Sequence, residues 1–362
     1  MNKNVLVSVF IAAYDNPSYT RKTIQSIIDQ SYRPIEILLC DDCSPNSLEI
    51  LMQEFKEFQS PDLIIKYFRH DKNIRGLDNM IFGFDQCSGK YGVNIQHDEW
   101  WIDCNFLSET VDIMEKDPEC NLCIGNAYEE DNIGIKMLNI PNKYIINKWN
   151  TLTGEEYINI LGSDGMGYPP WSSVIFNVPN LRKLGGFHYP YNLPKSYADK
   201  LGILPDEFFA SQFLLSSIGN VALSDNIISI RGRPENSFTL SNNDWHKCVG
   251  QAAFVIHYNL MTSNHKGIYI KAMKKRAKKM LILYPVERIN VKILEILNFD
   301  KEMKKMYYIS YLYFIFRKFN YYIRNIKKII KIQKEKGFKN TIIYVLNRIK
   351  SKGFISAIFQ IK

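Results

Sequence analysis

Short aliphatic runs alternate with longer segments of helical period along the first hundred residues. VLVSVFIAA (5–13) is a short apolar run with β-branched residues at alternate positions, the pattern of a buried strand. NPSYTRKTIQSIIDQS (16–31) follows, with Ile24, Ile27 and Ile28 at helical spacing and Pro17 at a helix start. IEILLC (35–40) and LIIKYF (63–68) read as further strands, NSLEILMQEFKEF (46–58) and IRGLDNMIFGFDQC (74–87) as helices, and YGVNI (91–95) as a fourth strand. Alternation at this interval predicts βαβ units and a mostly parallel sheet flanked by helices.

From about 120 to 240 the pattern is mixed. SSVIFNV (172–178) and VALSDNIISIRG (221–232) have strand character, and PDEFFASQFLLSSIG (205–219) has a helical face closed by Gly219. Between them lie GMGYPPWSS and GGFHYPYNLPKSYADK, with the Gly, Pro and Tyr content of ligand-facing loops. From 241 onward the chain turns helical, basic and aromatic, so two regions are expected, 1–240 and 241–362.

Charge sharpens that division. Residues 266–362 carry 25 Lys and Arg against 5 Asp and Glu, whereas the rest carries 21 against 32. Apolar and Tyr/Phe positions interleaved with Lys/Arg fit amphipathic helices on an anionic membrane surface. A solvated helical bundle is the plainer alternative. Nucleic acid is not expected as a partner, since no recognisable nucleic-acid-binding module is present. The first residues show no cleavable leader, and YYISYLYFIF (307–316) is shorter than the ~20 apolar residues of a membrane span. A cytoplasmic protein peripheral on the inner membrane face is the expectation.

Seven cysteines without an export signal are expected to be free thiols. CDDC (40–43) and CNLC (120–123) have zinc-ligand spacing, but Cys40 and Cys123 fall in apolar strand-like runs and read as core residues. Chemistry concentrates instead where strands end, because ligands of open α/β sheets bind at the carboxyl ends. Those ends are AAYD (12–15), DDCS (41–44) and QHDE (96–99), all polar.

In order, VSVFIAAYDNPSYTRKTIQSIIDQSYRPIEILLCDDCS (7–44), GKYGVNIQHDEWW (89–101), SSVIFNVPNLRKLGGF (172–187) and DEFFASQFLLSSIGNV (206–221) resemble an inverting family 2 glycosyltransferase. The resemblance covers about 5–240 and implies the nucleotide-sugar-binding GT-A fold. It implies that Ala12 and Tyr14 flank the nucleotide base and that Asp42 accepts a base N–H, which suits uracil and a UDP-sugar donor. The family's Asp-x-Asp falls on Gln96-His97-Asp98, with Asp98 as ligand to Mg²⁺ or Mn²⁺. Hard cations prefer carboxylate oxygen and offset the charge of a departing diphosphate. Gln96 replaces the other acid, and its amide offers hydrogen bonds without charge. His97 is a further candidate beside the nucleotide. In some relatives an Arg near position 78 helps hold the nucleotide; Arg75 stands three residues earlier here.

Inversion needs a general base for the acceptor hydroxyl. The resemblance implies Asp206 or Glu207 in PDEFF, with Asp206 preferred. Trp171, Gly186 and Phe187 are expected beside the acceptor, and Arg231 or Arg233 near the diphosphate. The expected reaction is transfer of a single sugar to a surface-glycan or lipid-linked acceptor. A nucleotidyltransferase is disfavoured because AAYDNPSY lacks the glycine-rich basic loop. A catalytically silent scaffold of the same fold is the alternative, and the missing acid at Gln96 is its support.

Overall fold

The computed structural model describes residues 5–131, 134–138, 148–161, 171–187 and 207–232, together with Leu312. The chain divides into two compact units, Met1–Lys279 and Met280–Lys362, and the fold below is that of the first. The 240/241 boundary and the basic region expected after it lie outside the described residues, apart from Leu312.

Four strands build the part that positions the site: β1 (Val7–Ala13), β2 (Ile35–Asp41), β3 (Leu63–Arg69) and β4 (Tyr91–Gln96). They pair in parallel in the order β3-β2-β1-β4. Every residue of β1 and β2 is buried, as expected of strands covered on both faces, whereas β3 alternates buried and exposed positions at the sheet edge. The sheet continues through β9 (Val174–Asn177), β6 (Cys120–Asp131), β10 (Asn220–Gly232) and β5 (Glu99–Trp101). β9 runs antiparallel to both neighbours, β6 and β10 are parallel, and β5 lies antiparallel on β10. Two short strands, β7 (Gly134–Leu138) and β8 (Asn150–Leu152), pair off this path with β6 and β10. The resulting sheet is mixed, yet six of the eight strands on its main path share one direction.

Side-chain alternation along β1 separates two cores. Val7, Val9, Ile11 and Ala13 join Ile24, Ile27, Leu51 and Phe106 on the face covered by α1 (Pro17–Ile28), α2 (Ile50–Glu54) and α4 (Phe106–Lys116). Phe10 and Ala12 join Met80, Phe84, Phe176 and Leu215 on the face covered by α3 (Gly76–Asp85), α5 (Gly154–Leu161), α6 (Val178–Lys183) and α7 (Glu207–Ser216). Helices on both sheet faces are the three-layer arrangement that the alternating pattern predicts.

One predicted helix is much shorter than its pattern. Residues 46–58 give only α2 and a 3-10 turn, Lys56–Phe58. The stretch before Ile50 is drawn into a loop instead, because the Asp41 carboxylate takes the Ser44 and Leu48 N–H groups that a helix would otherwise point along its axis. The other helices on these strands lie within the predicted segments.

Strands β2 and β3 lie on one side of β1, and β4 on the other. The order of connection therefore reverses at β1, the topological position where open α/β sheets bind ligands at the carboxyl ends of their strands.

Candidate active site

The loops that leave β1, β2 and β3 carry the strained backbone of the described structure. Among the described residues, the non-glycine positions with positive φ are Asp15 (45°), Asn16 (93°), Cys43 (59°) and Arg75 (77°). All four stand just past carboxyl ends of parallel strands. Such conformations cost of order 1–3 kcal/mol each and cluster where a loop is shaped for function. They are held by cross-loop hydrogen bonds. The Asp15 N–H donates to Ser44 Oγ at 2.9 Å, and the Asp42 N–H to the Ala13 carbonyl at 2.8 Å.

Asp41 and Asp42 divide the work of the DDCS turn. Asp41 is fully buried and faces inward, accepting from Ser44 N–H (2.8 Å), Leu48 N–H (3.3 Å), Tyr67 Oη (2.7 Å) and Arg69 (2.8 Å). Burial pushes its carboxyl up, but these hydrogen bonds outweigh burial and hold it below the ordinary range. Asp42 accepts from the Ile74 N–H at 2.6 Å and the Arg75 N–H at 2.9 Å, one on each oxygen. Here burial dominates and the carboxyl is pushed up, with the two amides pulling the other way. Each carboxylate oxygen has two acceptor sites, so one on each remains for a ligand N–H. Arg75 thus meets Asp42 through its backbone.

Tyr14, just beyond β1, is 45% exposed, so its ring has an open face. Ala12 pairs with Cys40 on one side and Gln96 on the other, which brings residues 12, 42 and 96 onto adjacent strand ends. The Gln96 amide donates to Asn94 Oδ1 at 2.8 Å, and His97 Nδ1 lies 3.4 Å from the Ala12 carbonyl. Asp98 is half-buried, and no hydrogen bond or ion pair from a described residue reaches its carboxylate. Glu99, the first residue of β5, is buried. Its Oε1 lies 3.6 Å from Arg231 Nε, and burial pushes its carboxyl up to about 7 despite that guanidinium. Arg231 is the register partner of Glu99, and the Gly232 N–H donates to the Asp98 carbonyl at 2.8 Å. The β10 end is therefore packed directly on the Asp98 turn.

The three residues expected beside an acceptor have interior places. Trp171 and Phe187 are 4% and 2% exposed and lie 5.4 Å apart, centroid to centroid, in a cluster with Phe10, Phe84 and Phe176. Gly186 has φ 77°, and Gly185 φ 100°. They close α6, with the Gly185 and Gly186 N–H groups on the Arg182 and Leu181 carbonyls, and turn Phe187 into the core. In the described structure this Gly-Gly-Phe string is a helix terminus. Glu207 opens α7, although its side chain, like Asp206 and Arg233, lies outside the described residues.

Reasoning from sequence missed Asp41 as the hub beneath the loop and Thr23 beneath the Asp98 turn. Asp41 carried a signal in the acid doublet, whereas Thr23 looks like any polar residue on an amphipathic helix. The described cysteines are free, and Cys40, Cys87, Cys120 and Cys123 are buried, in keeping with core roles.

No cluster of three or more His, Cys, Asp or Glu suited to a metal is present among the described residues. The single unbonded carboxylate of Asp98 still fits one mode of cation binding. Mg²⁺-like ions keep water and are commonly held by one or two carboxylates plus substrate phosphates.

Known proteins bear on this site. The family model described as glycosyl transferase family 2 matches residues 8–176, a span that holds Tyr14, Asp42 and Asp98. The chain is 25% identical over 219 residues to the E. coli UDP-Glc:alpha-D-GlcNAc-diphosphoundecaprenol beta-1,3-glucosyltransferase WfgD, covering 58% of this chain and 78% of that one. It is 29% identical over 110 residues to the E. coli enzyme of the same description, WfaP, covering 30% and 41%. An uncharacterized glycosyltransferase of Haemophilus influenzae is 30% identical over 94 residues, 26% of this chain and 28% of that protein. The last two matches thus span less than half of those relatives' length. In fold, the chain is similar to S. aureus TarS 1–349 in complex with UDP-GlcNAc, at TM-score 0.55 and 14% identity over 84% of this chain and 79% of that one. It is also similar to the mannosyltransferase PcManGT of Pyrobaculum calidifontis in complex with GDP-Man and Mn²⁺, at TM-score 0.50 and 13% identity over 87% and 86%. The architecture is that of GT-A glycosyltransferases, and residues 8–176, just under half of the chain, match glycosyl transferase family 2.

Proposed function

We propose that the chain transfers a single sugar, with inversion, from a nucleoside-diphosphate sugar to a hydroxyl of a lipid-linked surface-glycan acceptor. A UDP-sugar is the favoured donor. The observation that carries this reading is the convergence of Tyr14, Asp42 and Asp98 on the ends of β1, β2 and β4, where the strand order reverses. Relatives described as UDP-glucose-dependent transferases acting on GlcNAc-diphosphoundecaprenol support the donor and acceptor class.

In this reading the exposed Tyr14 ring stacks on the base, while Asp42 accepts a base N–H beside the two amides it already holds. Asp98 would hold a divalent cation, which supplies charge neutralisation for the diphosphate as the sugar departs. The complex of PcManGT with GDP-Man and Mn²⁺ supports a metal at such a site. Arg231, 3.6 Å from Glu99, adds positive charge next to the turn, with Arg233 as a second candidate. Asp206 or Glu207 takes the proton of the acceptor hydroxyl as its oxygen attacks the anomeric carbon, and the nucleoside diphosphate leaves from the opposite face. The basic region 266–362 would keep the protein on the anionic inner membrane surface, near lipid-linked acceptors.

The silent-scaffold reading has one observation in its favour, because Gln96 is neutral and its amide is turned to Asn94. Incubation with UDP-sugars, Mn²⁺ and a GlcNAc-diphospholipid decides between them. The proposal expects a glycosylated lipid with inverted anomeric configuration, and loss of product in Asp206→Asn or Glu207→Gln. Retained configuration, or binding of every donor without turnover, contradicts it. Sedimentation with anionic vesicles tests the membrane role, which fails if removal of residues 266–362 leaves binding unchanged.

A further inference from the structure

The Asp98 carboxylate makes no bond to a described residue, so its direction is set by its rotamer and by the backbone that carries it. That backbone is gripped from two sides. On α1, Thr23 Oγ1 stands 2.7 Å from the Glu99 carbonyl, 3.0 Å from that of His97 and 3.1 Å from that of Tyr19 in its own helix. From β10, the Gly232 N–H donates to the carbonyl between them, that of Asp98, at 2.8 Å. A hydroxyl has one proton, so Thr23 donates to one of these carbonyls at a time, that of Glu99 being nearest, and with the Gly232 amide it fastens the 97–99 turn from two elements far away in sequence. The contact is tight: a Cβ at Gly232 would stand 2.8 Å from the Asp98 oxygen, 2.9 Å from the Trp100 ring and 3.1 Å from the Tyr19 ring.

From this geometry we infer that Thr23 is a positioning residue, which orients the 97–99 turn so that Asp98 is aimed at the cation. The inference rests on the proposed metal role of Asp98. Its chemistry is that of outer-shell groups generally, which orient a ligand without touching the metal and whose loss weakens metal affinity by about 10- to 100-fold. Valine matches threonine in shape but removes the donor, leaving the His97 and Glu99 carbonyls without it.

The same helix face supplies a control. Ser26 Oγ accepts the Trp101 N–H at 3.1 Å, and Gln30 bonds the Asp103 carbonyl at 2.8 Å and the Leu107 N–H at 3.1 Å. Ser26 fastens the last residue of β5 and Gln30 the segment after it, and neither bonds the 97–99 carbonyls. Ser26→Ala therefore removes a comparable buried bond without the aiming role.

The test titrates the full chain with Mn²⁺ in the presence of UDP, following free Mn²⁺ by electron paramagnetic resonance, with UDP affinity in EDTA and thermal unfolding measured alongside. Thr23→Val is expected to weaken Mn²⁺ binding about tenfold or more while UDP affinity in EDTA holds. Thr23→Ser is expected to restore it, and Ser26→Ala to lower the melting temperature with Mn²⁺ affinity intact. Equal Mn²⁺ affinity in Thr23→Val and wild type overturns the inference, as does an equal loss in Ser26→Ala. Wild type that takes up no Mn²⁺ with UDP removes the metal reading of Asp98 itself, an outcome distinct from an unaffected Thr23→Val.

Discussion

Arg75 donates its backbone N–H to Asp42 Oδ2 at 2.9 Å from a conformation, φ 77° and ψ 156°, that non-glycine residues rarely adopt. The Asp42 carboxylate is what makes that conformation tenable, since it accepts from both Arg75 and Ile74. Asp42→Asn would set an amide NH₂ against one of those N–H groups. UDP affinity is expected to fall about tenfold or more, equivalent to ~1.4 kcal/mol, with a lower melting temperature. Calorimetric titration with UDP checks it, and unchanged affinity removes Asp42 from the base site.

Arg75→Gly tests the strain separately. Glycine enters this region without steric cost, so the backbone is expected to gain about 1 kcal/mol or more in denaturant unfolding. A loss of UDP affinity in the same variant then reports the guanidinium, since the amide to Asp42 is kept. A destabilised Arg75→Gly contradicts the strain argument.

The scaffold was largely legible from pattern, because β1 and β2 are buried on both faces and their apolar runs have no competing helical reading. The strand-end acids were legible for the same reason: parallel topology brings 12–15, 41–44 and 96–99 together wherever such strands alternate with helices. Trp171 and Phe187 were not. An aromatic in a Gly/Pro-rich stretch serves core or sugar equally well, and only packing distinguishes them. Thr23 was hidden because its hydroxyl reaches carbonyls more than seventy residues away.

Phe187→Ala addresses that ambiguity. A ring packed on Phe84 at 4.9 Å and Trp171 at 5.4 Å leaves a cavity when removed, with an expected loss of about 3–5 kcal/mol in stability. A surface contact to acceptor would instead leave denaturant stability nearly unchanged and raise the acceptor KM.

Glu36 gives a pH signature at the opposite sheet end. It is buried, which pushes its carboxyl up, but Ser8, the Ser88 N–H and hydroxyl and Lys66 outweigh burial and hold it below its ordinary value of 4.5. A depressed folded-state pKa contributes stability above the unfolded value that is lost as pH falls through the folded one. Melting temperature is expected to drop below about pH 4.5 in wild type, and Glu36→Gln is expected to flatten part of that drop. An identical acid limb in the variant excludes Glu36 as its source.

The central claim is that the strand-end site turns over a nucleotide sugar with Asp98 holding a cation. Release of free nucleoside diphosphate from a panel of UDP- and GDP-sugars, with Mn²⁺ and without acceptor, tests it most directly. Slow hydrolysis of at least one donor is expected, lost in EDTA and in Asp98→Ala while that variant still melts cooperatively. Hydrolysis undiminished in Asp98→Ala, or none by wild type with any donor, contradicts the account.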